Sequence, residues 1–177
     1  MTDLHIRDAR AGDQAAIRAV TLEAYQEYAA FMQANWELYR QSIVATLADV
    51  TPAEQIVAEQ AGAIVGTVLL IPAGTLVTPP NTEPVRLAWP EIRLLAVTPA
   101  MRGHGIGRAL VNECLQRARH SGAGAITLHT TDMMQAAMRM YEHMGFVRTP
   151  ETDFHPAPGI TIKGYRYRFD DQPPTSA

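Results

Sequence analysis

Val97-Thr98-Pro99-Ala100-Met101-Arg102-Gly103-His104-Gly105-Ile106-Gly107-Arg108 is the stretch on which the reading of this chain turns. An apolar run ends at Val97, a turn with three glycines follows, and a helix is predicted from Ile106 to His120. Its apolar face is Ile106, Leu110, Cys114 and Ala118, each four apart. A strand, a glycine turn and a helix start together make an anion site. Glycines let a backbone approach a ligand closely, and the first helical turn leaves N–H groups unpaired with the positive end of the helix dipole behind them. Arg102 and Arg108 add charge, and a pyrophosphate suits such a turn. Two other glycine motifs are excluded. A Walker loop ends in Gly-Lys-Ser/Thr, whereas Arg108-Ala109 follows Gly107. A dinucleotide fingerprint spaces its glycines as Gly-x-Gly-x-x-Gly near the first strand, not singly past mid-chain.

Working outward, Leu4 to Asp8 alternates and reads as a short strand, and Asp13 is placed to cap a helix. Ile17, Val20, Ala24, Tyr28 and Phe31 form one helical stripe, and a second helix covers Trp36 to Leu47. Gln55–Ala58 and Ala63–Ile71 are strands joined through Glu59-Gln60-Ala61-Gly62, a hairpin signal. Five prolines make Pro72 to Pro90 mostly loop. Glu91 to Val97 is a strand with Glu91, Arg93, Leu95 and Val97 on one face. Ala125 to Thr130 is a strand, and Gln135 to Met144 a short helix stopped by Gly145. Phe146–Arg148 and Gly164–Phe169 close the pattern around the turn His155-Pro156-Ala157-Pro158-Gly159. Strand–helix–strand crossovers with hairpins imply an α/β chain of the α+β type, a mixed, mostly antiparallel central sheet flanked by helices. One domain is expected over residues 1–169, with a disordered tail at 170–177.

Composition narrows the partners. The chain has 177 residues, 47% of them hydrophobic, and 15 Lys+Arg against 18 Asp+Glu for a net charge of −3. That balance argues against nucleic acid or an anionic membrane as partner. The single cysteine, Cys114, excludes an internal disulfide, and six histidines form no ligand motif, so no metal is expected. No run reaches the roughly 20 apolar residues of a membrane span, and the start lacks a signal peptide, so a cytoplasmic location is expected.

The glycine turn resembles the acyl-coenzyme A signature of the GNAT superfamily of N-acetyltransferases, Arg/Gln-x-x-Gly-x-Gly/Ala, with Arg102, Gly105 and Gly107 at its fixed positions. Ala137-Met138-Arg139-Met140-Tyr141-Glu142-His143-Met144-Gly145-Phe146 is similar to the same superfamily's Ala-x-x-x-Tyr-Glu-x-x-Gly-Phe segment. The resemblance implies a GNAT-like fold to about Phe169 and acetyl-coenzyme A as cosubstrate. Its pyrophosphate would rest on Arg102, Gly103, His104, Gly105, Ile106, Gly107 and Arg108, and its pantetheine arm along Leu95, Ala96 and Val97. Tyr141 would protonate the departing thiolate, and Glu91 matches the position of a glutamate base. The reaction implied is direct attack by a primary amine of a small molecule or peptide, with no covalent enzyme intermediate. The alternative is a non-catalytic acyl-coenzyme A sensor, and a homodimer is one assembly open to the fold. Met134 departs from the pattern, standing where many relatives carry Asn.

Periodicity alone puts Tyr141 on the buried stripe Ala137, Met140, Tyr141, Met144 as a core residue. Glu91 is equally a strand-end charge or a base for the amine. Cys114 reads as core, and Met133, Met134, Met138, Met140 and Met144 as core filling or a channel lining. Aromatic acceptor-site candidates are Tyr25, Tyr28, Trp36, Tyr39 and Trp89, with Glu23, Glu27 and Glu37 nearby.

Overall fold

The computed structural model describes residues 3–170, so only Asp170 of the expected tail falls within it. The described residues divide into two compact units, residues 3–70 with 93–114, and residues 71–92 with 115–170.

In the first unit, β1 (Leu4–Asp8), β2 (Glu54–Gln60) and β3 (Ala63–Ile71) run antiparallel in that order. The later residues of β6 (Glu91–Val97) lie beside β3. The β2–β3 turn is tighter than the sequence implies. Ala61 and Gly62 take φ of 52° and 77°, the two-residue turn whose twist suits a hairpin, so both strands extend to meet it. Two helices flank the sheet, α1 (Gln14–Tyr25) and α3 (Trp36–Ala48), with the single turn α2 (Ala29–Met32) between them.

The stripe proposed for one long first helix is corrected here. Ile17, Val20 and Ala24 are buried, but the helix ends at Tyr25 and breaks through short 3-10 turns and Gln33, which sits at φ 48°. Past that break the 3.6-residue period no longer applies, and Phe31 is 69% exposed. Asp13 precedes α1 as expected but does not cap it with its side chain. Its carboxylate instead accepts the Arg10 N–H at 2.7 Å and the Arg7 guanidinium at 2.7 Å, closing the 3-10 turn Ala11–Asp13.

The second unit is built on β7 (Ala125–Thr130), which pairs antiparallel with β10 (Ile160–Arg168) and parallel with the start of β6. There Glu91 stands opposite Thr127, and Ile92 opposite Leu128. β10 also pairs with β8 (Val147–Arg148) and β9 (Phe154–Ala157). The strand β9 corrects the expected five-residue turn. Only Pro158-Gly159 turns, with Gly159 at φ 76°, because Pro156 needs no ladder N–H on this outer strand. Within the proline-rich segment, β4 (Leu76–Val77) and β5 (Val85–Arg86) form a two-residue ladder. α5 (Gln135–His143) ends at Gly145, whose φ of 97° is the left-handed stop the sequence signals. The pairing is thus mixed and mostly antiparallel, with helices beside the strands, as the sequence implies.

Candidate active site

The glycine turn belongs to the first unit. Gly103 and Gly105 take φ of 79° and 78°, a backbone that L side chains rarely adopt. Helix α4 (Ile106–His120) starts at once. The bond from Ala109 N–H to the Gly105 carbonyl, 2.9 Å, belongs to its first turn. The N–H groups of Ile106, Gly107 and Arg108 precede that bond, so they have no carbonyl four residues back within the helix. Ile106, Leu110 and Cys114 are buried as the spacing predicts, while Gly103, His104, Gly105 and Arg108 are exposed.

The helix start is seated on β3 through a residue that the sequence reading did not select. A Cβ on Gly66 would lie 3.0 Å from Leu110 Cδ1, 3.1 Å from Ile106 Cγ2 and 3.2 Å from the Ala96 carbonyl oxygen. Those separations are tighter than nearly all real Cβ contacts, so a side chain there would force α4 or the Ala96 carbonyl to give by a few tenths of an ångström.

Arg102 is not a free phosphate ligand in this structure. Its guanidinium donates to Glu27 Oε2 at 2.7 Å and to the Ala24 carbonyl at 3.0 Å, tying the turn to α1. Partial burial opposes ionisation of Glu27, but the Arg102 bond wins and holds its carboxyl below the usual range. His104 Nδ1 lies 2.9 Å from the Arg102 carbonyl, so this ring is used inside the turn.

Leu95, Ala96 and Val97 are the last residues of β6, with Ala96 buried. Beyond them, the N–H and hydroxyl of Thr98 both donate to the Val65 carbonyl at 3.0 Å. The expectation that Glu91, Arg93, Leu95 and Val97 share one face is corrected. Leu94 sits at φ 48°, and simple alternation does not pass through a left-handed residue. A non-glycine residue held there stores of order 1–3 kcal/mol of strain.

In the second unit, Glu91 is buried at the head of β6 with its Oε2 3.3 Å from His129 Nδ1. Tyr141 is buried on α5, its ring 5.7 Å from that of Phe146. The neighbouring Glu142 accepts the Tyr165 hydroxyl at 2.9 Å, which anchors α5 to β10. Burial first, then that carboxylate, pushes the Tyr165 hydroxyl up to about 12. Met133, Met134, Met138, Met140 and Met144 are half-buried on and beside α5.

Among the aromatic candidates, Tyr25 meets Tyr28 at 5.9 Å and Tyr39 at 6.0 Å, and Trp36 meets Tyr39 at 6.3 Å. Burial pushes the Tyr28 and Tyr39 hydroxyls up to about 12, with the Glu27 bond adding to the effect at Tyr28. Glu37 is occupied by Arg40 at 2.8 Å. Trp89 belongs to the second unit, where its ring packs on Gly124. No group of three or more potential metal ligands occurs among the described residues, and no helix there is long and apolar enough to cross a membrane.

Comparison with known proteins fits these features. The acetyltransferase (GNAT) family matches over residues 21–146, which takes in the glycine turn and the Tyr141 segment. Human N-acetyltransferase 8B is 36% identical over 99 residues, 56% of this chain and 40% of that protein. The chain thus spans about two fifths of the length of this curated relative. Among solved structures, a GNAT family acetyltransferase from Brucella melitensis in complex with acetyl-CoA aligns with a TM-score of 0.64 and 23% identity. That match covers 100% of this chain and 95% of the other. The yncA protein of Salmonella typhimurium, solved with acetyl-CoA, aligns with a TM-score of 0.62 and 19% identity over 98% of both chains. These structural likenesses carry the fold, the family match carries the motifs, and the chain belongs to the GNAT family of acetyltransferases.

Proposed function

We propose that this chain is an acetyl-CoA-dependent N-acetyltransferase acting on a primary amine of a small molecule or peptide. The observation that carries the reading is the pair of left-handed glycines, Gly103 and Gly105, running directly into the start of α4. Such a turn suits a pyrophosphate, because open N–H groups and the helix dipole both favour negative charge. Two structural neighbours solved with acetyl-CoA support the cosubstrate. The bound group would supply an acetyl thioester.

The residues then divide the work. The backbone of Arg102 to Arg108 holds the diphosphate, and the edge at Leu95 to Val97 offers main-chain hydrogen bonds to an extended arm. Arg102 keeps the turn in place through Glu27 and the Ala24 carbonyl. Glu91 accepts the proton that the amine must lose, and Tyr141 supplies one to the departing sulfur. The aromatic group of Tyr25, Tyr28, Trp36 and Tyr39 is offered as part of the acceptor site.

A panel of amines, from polyamines and amino acids to peptide N-termini, tests this by release of free thiol with the acetylated product identified by mass. Thiol release that requires one amine class supports the reading. Acetyl-CoA binding without turnover on any amine would favour the acyl-CoA sensor instead.

A further inference from the structure

Glu91 is only 2% exposed. A base that receives a proton in every turnover needs a route for passing it on, and the structure offers one. Because Glu91 stands opposite Thr127 in a parallel register, His129, two residues further along β7, lies on the same face of the sheet. Its Nδ1 is 3.3 Å from Glu91 Oε2, and its Nε2 is 3.1 Å from the Thr152 carbonyl oxygen. The Phe154 ring meets the imidazole edge-on at 5.4 Å, and 23% of the His129 side chain remains exposed.

Donor accounting gives this contact a chemical content. A carbonyl oxygen only accepts, so Nε2 carries a hydrogen. That leaves Nδ1 as the ring nitrogen facing Glu91 Oε2, placed to take a proton from the carboxyl group. One partner is buried and the other reaches solvent.

We propose that His129 is the proton exit for Glu91, a positioning and relay residue that carries the amine's proton from the buried carboxylate to water. The inference rests on the acetyltransferase reading above. In that reaction an ammonium acceptor loses two N–H protons as the C–N bond forms and the C–S bond breaks. One proton ends on sulfur, and the other must leave for solvent. Glu91 takes that second proton and passes it to Nδ1 of His129, and the hydrogen on Nε2 goes to water as its bond to the Thr152 carbonyl opens, with Phe154 holding the ring.

Charged groups on the neighbouring elements have partners of their own. Asp153, beside Thr152, is bound by the Arg148 guanidinium at 2.9 and 2.8 Å, and Lys163 on β10 pairs with Asp132. Gly164, opposite His129 on β10, keeps the Thr152 turn close. A Cβ there would land on the Thr152 hydroxyl oxygen.

The experiment has two arms. In ligand-free protein at neutral pH, nitrogen-15 spectra of the histidine rings should show a hydrogen shared at Nδ1 of His129, and Glu91→Gln should abolish it. A ring with hydrogen on Nε2 alone, unaffected by Glu91→Gln, overturns the pair without reference to activity. In turnover, His129→Gln should lower kcat by about 10–100-fold with KM for acetyl-CoA within about twofold, the scale of proton-transfer catalysis. Turnover of His129→Ala should rise with imidazole concentration at fixed pH, while wild type stays flat. A folded His129→Gln enzyme with wild-type kcat, in a wild type that acetylates amines, overturns the relay alone. A wild type that acetylates no amine overturns the acetyltransferase reading and the relay with it.

Discussion

Gly66 supports the helix start from beneath, and replacing it should loosen the site before it unfolds the chain. An added Cβ meets Leu110 Cδ1 at 3.0 Å, Ile106 Cγ2 at 3.1 Å and the Ala96 carbonyl oxygen at 3.2 Å. All three are closer than ordinary van der Waals contact, and the carbonyl is backbone that cannot rotate away. Overpacking of this kind costs about 1–3 kcal/mol. Gly66 is not among the glycines at positive φ, so alanine also reduces the freedom of the unfolded chain, worth about 0.4–1 kcal/mol in the opposite sense. Gly66→Ala should therefore lose roughly 1–2 kcal/mol net, and Gly66→Val, with two further methyl groups against α4, about 3 kcal/mol or more. At about 2–4 °C per kcal/mol for a chain of this size, Tm should fall by roughly 2–8 °C for alanine and at least 6 °C for valine. Calorimetric melts read the loss directly. The two contacts from α4 are Ile106 and Leu110, so acetyl-CoA affinity measured below the melting range should fall in the same order, alanine before valine. A Gly66→Val protein that melts with wild type and binds acetyl-CoA equally well would refute the close seat of α4 on β3.

Three further outcomes follow from the same geometry. Gly105→Val should cut acetyl-CoA affinity tenfold or more, about 1.4 kcal/mol, because a β-branched residue is strained at φ 78° and its side chain covers the turn, as binding calorimetry will read. Tyr141→Phe keeps the ring beside Phe146 but removes the hydroxyl; steady-state kinetics should show kcat down by roughly 10²–10⁴-fold with acetyl-CoA binding little changed. The Arg7 guanidinium, aided by the Arg10 N–H, lowers the Asp13 carboxyl to about 2. That pair stabilises the folded chain above the ordinary carboxylate value of about 4 and is lost as pH falls towards 2, so Asp13→Asn should flatten the acid side of a denaturation series over that window.

Much of the fold was legible because local signals and packing agree. The stripe Ile106, Leu110, Cys114 and Ala118 has a 3.6-residue period and is buried from end to end. Gly145 stops α5 through the left-handed conformation that its type predicts. Where the reading missed, the deciding partner was remote in sequence or the period was interrupted. Phe31 falls beyond a break that no proline or glycine marks, so the stripe was carried too far. Leu94 adopts a left-handed φ within an otherwise regular strand, and no composition cue distinguishes it from Leu95.

The glycine turn was visible as a cluster of residue types, but not its local wiring. That Arg102 binds Glu27, 75 positions away, emerges only when α1 is folded against the turn. His129 was one of six histidines without a ligand motif. Its signal lies in the register that sets Glu91 opposite Thr127, which a single strand pattern does not specify. Gly66 lies within the predicted strand Ala63–Ile71, and its purpose is visible only from the α4 side chains packed on it.

The central claim is that the turn from Arg102 to Arg108 cradles an acyl-coenzyme A diphosphate, and calorimetric titration of the intact chain with acetyl-CoA tests it most directly. The account predicts saturable binding to one site per chain, competed by coenzyme A and weakened at least tenfold by Gly105→Val, about 1.4 kcal/mol. Absence of binding at about millimolar acetyl-CoA, a threshold near −4 kcal/mol, or equal affinity in wild type and Gly105→Val, would contradict it.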